Sequence, residues 1–382
     1  MTRYASFCLL LLISCGRTDR KTAAQGAASA AASPAGSRIN YAHGFTIDYF
    51  DHYKEVKILN HSTGSVDTLD YLLLPAGIPV PPGHAHAQVI RIPVQSMIVT
   101  GSTHIAQADF AGAADRITGI GNGQYVVCPV VREGLRTGRV HQVGLEGSLN
   151  NELVISMRPG FIMTMTNPDA AFGEYKTLMD AGIPVLPNAD WLETTPLGKA
   201  EWVKLMGALT DREDVVDKKF DSVAQVYQRL AAIGNAAAVR PSVITGMPFK
   251  GTWYTPAGGS FIAQFLRDAG ASYHWSETRG TGSLALSFET VAPVALTADF
   301  WLDAGDADSK KEILSQDPRY GAFRAFRSDA IYTYNRRVNA AGSSDYWESG
   351  SVNPQWVLAD LIRILHPGVL PPDTLIYYKQ IK

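Results

Sequence analysis

Residues 211–236 read DREDVVDKKFDSVAQVYQRLAAIGNA. Over these 26 residues there is no proline and a single glycine, Gly234, near the end. Val216, Phe220, Val223, Tyr227 and Leu230 follow a 4-3-4-3 spacing and so share one helical face. Arg212, Glu213, Asp217, Lys218, Lys219 and Asp221 fill the other face. One helix of this length spans about 39 Å at 1.5 Å per residue, enough to cross between two lobes.

On the N-terminal side, strand-like runs occur at Val56–Leu59, Tyr71–Leu74, Val89–Pro93 and Ser96–Val99. Helices and short apolar strands then alternate. The pattern predicts a helix over Leu149–Met157, a strand over Gly160–Met165, a helix over Asp169–Ala181 closed by Gly182, and a strand over Ile183–Leu186. On the C-terminal side it predicts a strand at Ser242–Thr245 and a helix over Ser260–Ala269. Beyond these come a helix over Leu284–Val291 and strands at Pro293–Ala298 and Ala330–Tyr334. The last is a helix over Asn353–Leu365 with Asn353 as N-cap and Pro354 at its first position. Strand-helix-strand repetition at this spacing indicates βαβ units. The expected fold is α/β: two Rossmann-like lobes with mainly parallel sheets, residues 39–210 and 239–382. One long helix, 211–238, joins them.

The chain opens with Arg3, then the apolar run Phe7–Ile13, then Ser14-Cys15-Gly16. So short an apolar core reads as a secretory signal, because a membrane span needs about 20 apolar residues. Leu12-Ile13-Ser14-Cys15 resembles the lipobox of bacterial lipoproteins. That resemblance implies cleavage of the signal 1–15 at Cys15, a lipid on the cysteine, and an envelope location tethered to a membrane. Residues 16–38 are dominated by small and polar residues and carry no aromatic or large aliphatic side chain. They read as a flexible tether.

About 340 residues remain, enough for two medium lobes, and a hydrophobic content of 46% fits a real core. A net charge of −2 argues against nucleic-acid binding. Of three cysteines, Cys8 and Cys15 belong to the leader, so Cys128 stands alone in the body and reads as a buried structural thiol.

The two-lobe plan resembles the substrate-binding proteins of ABC importers for iron complexes, haem and vitamin B12, which implies that the long helix is rigid and that a ligand cleft lies between the lobes. Several segments carry the likeness. Residues 148–162 (SLNNELVISMRPGFI) resemble the family's glutamate segment, with Gly160 where aspartate is usual. Residues 193–202 (ETTPLGKAEW) resemble the segment leading to the spanning helix. Ser287–Val291 mirrors the glutamate segment in the second lobe, and Ile364–Pro367 resembles the closing segment. The resemblance implies no enzymatic activity and no cofactor. It implies a monomer that captures a metal chelate (a ferric siderophore first, cobalamin or haem as alternatives) and delivers it to an ABC permease and its ATPase subunits. By position, Glu152 and Glu289 are the expected permease-docking residues.

Pockets of this type form at strand-to-helix loops. These supply Ser102, Thr103, Thr166, Asn167 and Trp191 in the first lobe, and Trp253, Tyr254, His274, Arg336, Tyr346 and Trp347 in the second. Aromatic walls suit a flat or aromatic chelate, and Arg336 or Arg337 suits an anionic ferric complex. Trp253 and Tyr254 are the best placed, at a strand end.

Two other functions compete. His84 and His86, two apart in a strand, share a face and with His104 suggest a free metal-ion receptor. No acidic partner follows them at ligand spacing, and a surface pair is the better reading. An envelope hydrolase finds no Gly-x-Ser-x-Gly elbow and no His-Glu-x-x-His. Gly119–Gly123 is glycine-rich but lacks the rest of a phosphate-binding fingerprint.

Overall fold

The computed structural model describes residues 38–60, 67–145, 147–165 and 172–382. The signal, Cys15, nearly all of the tether, Thr166 and Asn167 lie outside the described residues.

Two parallel sheets carry the architecture. In the first lobe the strand order is His141–Gln142, Ile117–Ile120, Met97–Val99, Phe161–Thr164, Val185–Pro187, all parallel. The chain starts in the middle, winds to one edge, then returns to wind to the other. In the second lobe the order is Ser272–Tyr273, Ser242–Thr245, Phe300–Leu302, Ile331–Thr333, Lys379–Gln380, with the last strand antiparallel. Each sheet thus has one point where the winding reverses and a crevice opens at the strand C-termini.

The long helix is Glu213–Asn235, 23 residues. Asp211 instead caps the preceding helix, Val203–Thr210, with φ 59°. Val216, Phe220, Val223 and Tyr227 are buried as the spacing requires, and Leu230 is partly buried against the core. The helix is fastened to both lobes. Lys219 Nζ donates to Phe110 O at 3.1 Å in the first, and Tyr227 Oη donates to Asp268 Oδ2 at 2.6 Å in the second. At about 1.5 Å per residue it reaches some 35 Å.

A four-stranded mixed sheet, Phe45–Tyr49, Lys54–Asn60, Asp67–Pro75 and Gln88–Ile92, precedes the first parallel sheet. The first lobe is therefore a parallel α/β unit with an added sheet. Its first three strands pair antiparallel, which short connections allow without crossover helices. Tyr71 Oη donates to Val185 O at 2.7 Å, and Gln88 pairs with the Val185 backbone, so the added sheet docks on the edge strand. The buried carboxylates of Glu201 and Glu193 anchor the chain ahead of it. Glu201 accepts from the amides of Asn40, Tyr41 and Ala42; Glu193 accepts from those of His43 and Gly44 and from Trp202 Nε1.

Four expectations need correction. The helix expected over Asp169–Ala181 is, within the described residues, a 3-10 turn at Phe172–Tyr175 and a short helix at Lys176–Asp180. The helix expected over Leu284–Val291 is a strand, Ser283–Leu286, followed by a helix, Phe288–Ala295, which Ser287 caps. Pro293 lies inside that helix, so no strand forms at 293–298; the strand is Phe300–Leu302. Asn353 holds the expected N-cap position with Pro354 first in the helix, but its side chain makes no capping bond and instead donates to Ser349 O at 2.8 Å.

Candidate functional site: a cleft between the lobes

The C-terminal ends of both parallel sheets open on a common cleft made of three adjoining cavities. In the first lobe a cavity of about 350 Å³ is bounded by Thr100–Ser102, Gly121, Asn122, Tyr125 and Met165. In the centre lies one of about 420 Å³. Its walls are Ser102, Thr103, Asp190, Trp191 and Lys199 from the first lobe, and Pro256, Phe261, Ile262, Ser283 and Trp347 from the second. A third, about 500 Å³, is cut into the second lobe by Gly246–Phe249, Tyr254, Asp303, Asp306, Tyr334 and Tyr346. Ser102 and Met165 form a wall shared by the first and central cavities. Pro256, Ile262, Ser283 and Trp347 form one shared by the central cavity and the third.

The positions of these residues follow from strand geometry. Thr100–Thr103 follows the central strand Met97–Val99, and Met165 follows its neighbour Phe161–Thr164, so both stand at the reversal point of the first sheet. Gly246 follows Ser242–Thr245, and Asp303 follows Phe300–Leu302, at the reversal point of the second. Gly246 has φ +78°, and a Cβ there would lie 2.3 Å from Tyr254 O. Only glycine lets the wall turn so close to the next strand.

The structure brings together Ser102, Thr103, Trp191, Tyr254, Tyr346 and Trp347 at this cleft. It does not bring Trp253. That indole is fully buried, stacks on Trp301 at 5.9 Å and donates to Thr245 O at 2.9 Å. Both residues lie not in a strand-to-helix loop but in a strand, Thr252–Pro256, paired antiparallel with Ser283–Leu286; successive strand residues point to opposite faces, so Trp253 enters the core and Tyr254 faces out. His274 is exposed and lines none of the three cavities; nor does Arg336, also exposed. Arg337 pairs with Asp345 at 2.9 Å beside a separate cavity of about 210 Å³, not in the cleft.

The histidine trio does not converge. His84 and His86 sit in a turn rather than a strand, and His84 meets the edge of the Tyr53 ring. His104 is fully buried in the helix Ser102–Phe110, and burial lowers its pKa to about 4. Among the described residues no group of three His, Cys, Asp or Glu side chains is placed to hold a metal ion. Cys128 is buried, and burial pushes its thiol up to about 11. Glu152 and Glu289 are both exposed in the first turns of their helices.

Sequence reasoning missed the polar residues that set the cleft's character. Lys199 Nζ lies 2.9 Å from Asp190 Oδ1, and Gln107 and Asn188 complete a buried network behind them. Thr103 Oγ1 is buried at the cleft wall without a protein partner. Asp303 is raised to about 7 by burial, against the hydrogen bond it shares with Tyr378. The available signal was a polar residue directly after a wholly apolar strand, Phe300-Trp301-Leu302-Asp303.

Similarity to known proteins agrees with this geometry. An uncharacterized lipoprotein of Methanocaldococcus jannaschii is 26% identical over 291 residues, 73% of this chain and 67% of its own. A periplasmic heme binding protein from Pseudomonas aeruginosa superposes with TM-score 0.56 at 15% identity, over 76% of this chain and 98% of that one. The triscatecholate siderophore binding protein of Bacillus subtilis superposes with TM-score 0.54 at 16% identity, covering 72% and 94%. The profile of one family, described as periplasmic binding protein, matches residues 98–338, from the first strand of the first parallel sheet to just past Arg337. That match takes in most of both lobes, the whole connecting helix and nearly every wall of the cleft, and the chain belongs to the periplasmic binding protein family.

Proposed function

We propose that this protein is the lipid-anchored, substrate-binding component of an ABC importer, which captures a metal chelate in the cleft and delivers it to the permease. The observation that carries the reading is where aromatic side chains are left exposed: among the described residues, every exposed Phe, Tyr or Trp except Trp356 lines the cleft. Tyr125, Met165, Trp191, Phe249, Tyr254 and Trp347 are all exposed, and all line the three cavities. Apolar and aromatic surface left uncovered in a concave site is what a small, partly apolar ligand needs. The family membership and the solved neighbours that bind haem and a triscatecholate siderophore support a chelate as that ligand. The lipobox-like Leu12–Cys15 supports the anchor, as does the lipoprotein relative.

Melting of the purified protein against ferric siderophores, cyanocobalamin and haemin tests the proposal. A ligand at about 100 times its dissociation constant stabilises the fold by about 2.7 kcal/mol. The expected outcome is a saturable upward shift with one chelate class. No shift with any chelate would remove the metal-chelate reading.

A further inference from the structure

The second-lobe end of the cleft is acidic and aromatic. Asp303 and Asp306 stand in its wall, four residues across the turn that follows the strand Phe300–Leu302. Asp303 adopts φ 54°, a left-handed conformation that aspartate tolerates better than most residues. The Tyr378 hydroxyl holds the carboxyl, and Oδ1 is buried with no protein partner. Asp306 is exposed and accepts from Asn335 Nδ2 at 3.0 Å. Around them stand the rings of Tyr254, Tyr334, Tyr346 and Trp347, whose faces carry negative potential.

No base balances these carboxylates in the wall. Among the described residues, no Lys or Arg lines this cavity or the first-lobe cavity. The central cavity has Lys199, already paired with the buried Asp190. Residues 166–171 read Thr-Asn-Pro-Asp-Ala-Ala and contain no base. Arg337 is held by Asp345 at the separate cavity, and the Lys250 ammonium lies over the Phe249 ring at the rim. An anionic chelate entering here would lose water with no counter-cation and would meet two carboxylates, which is costly in a partly buried site.

We infer that the cleft selects a metal chelate carrying positive charge, an ammonium arm or a cationic metal centre, with that charge seated against Asp303 and Asp306 and the surrounding tyrosine and tryptophan faces. This rests on the receptor reading above and narrows its ligand. It reverses the expectation of an arginine-bound anionic ferric complex.

The test uses pairs of chelates alike in shape and different in charge, titrated into the detergent-purified full chain at pH 8. One pair is ferrioxamine B, with its free ammonium, and its neutral N-acetyl derivative; the other is cyanocobalamin carrying an alkylammonium arm and unmodified cyanocobalamin. Ferric tris-catecholate and haemin represent anionic chelates. In whichever pair binds, the cationic member is expected to bind at least about tenfold tighter. The substitutions Asp303→Asn and Asp306→Asn, made singly and together, are expected to erase that preference, so that the two members of the pair bind with equal affinity. Asp306 is exposed, so Asp306→Asn keeps the test valid if Asp303→Asn fails to fold. Equal affinity within a pair, a preference that survives both substitutions, or binding of the anionic chelates alone would overturn the inference and leave the receptor standing. No saturable binding by any of the six would remove both.

Discussion

Glu348 reaches from the second lobe into the backbone of the first. Its carboxylate accepts the amide of Val127 at 2.8 Å and that of Cys128 beside it, and Asn339 Nδ2 donates to Gln124 O and Val126 O. Burial raises the Glu348 pKa to about 7, the two amides pull it down, and Asp345 and Asp109 push it up. The native state therefore holds this proton more tightly than the unfolded chain does. The stability tied to it is fully present below the ordinary glutamate range, near 4.5, and is lost as pH rises to about 7. Between pH 5 and pH 8 the loss is on the order of 2 to 3 kcal/mol. In Glu348→Gln the fall in stability over that range should shrink by this amount, read from denaturant melts of both proteins at both pH values. Equal falls would assign the pH dependence elsewhere. Residue chemistry also sorts the two adjacent aromatics. Trp253 and Tyr254 look equivalent in the sequence, and only the pleat of a strand covered on one face separates core from cleft.

Among the elements, the long helix was the most legible, because its 4-3-4-3 apolar spacing records one buried face and needs no knowledge of what covers it. Its glycine was legible as an exception but not as a cause. A Cβ on Gly234 would lie 2.2 Å from Asp268 O, so the helix end and the helix Phe261–Asp268 approach backbone to backbone. In an exposed helix, Gly→Ala stabilises by about 1 kcal/mol. Here the clash should reverse the sign, and Gly234→Ala should destabilise by about 1 to 3 kcal/mol. A raised melting temperature would show that the two helices part easily. The strand expected at 293–298 illustrates the opposite case. The sequence reading starts a strand at Pro293, but the helix Phe288–Ala295 takes that proline in, and the strand lies further on at Phe300–Leu302. Asp303 and Asp306 were hidden by that one misplacement.

For the whole molecule, the fold places one exposed glutamate near the start of a helix in each lobe, Glu152 and Glu289. Arg319 Nη1 lies 3.9 Å from Glu289, but the glutamate side chain remains largely exposed. An exposed ion pair of that kind contributes little and leaves the carboxylate available to a partner. If these two dock on basic residues of the permease, Glu152→Ala with Glu289→Ala should abolish stimulation of transporter ATPase and leave chelate affinity intact. Stimulation at the parental level would end that role.

The sequence alone determined the α/β class, the helix that spans the lobes and the segments after the parallel strands that carry Ser102, Thr103 and Trp191. These follow from periodicities and breaker residues within a few turns of chain. The tertiary structure decided the character of the cleft. It withdrew Trp253 into the core, committed Lys199 to Asp190 and Arg337 to Asp345, and left Asp303 and Asp306 in the wall. Such outcomes depend on which distant segments meet, as when Glu348 closes on Val127 across 221 residues of chain. A local pattern carries no record of those meetings, because burial and charge pairing are properties of the assembled lobes.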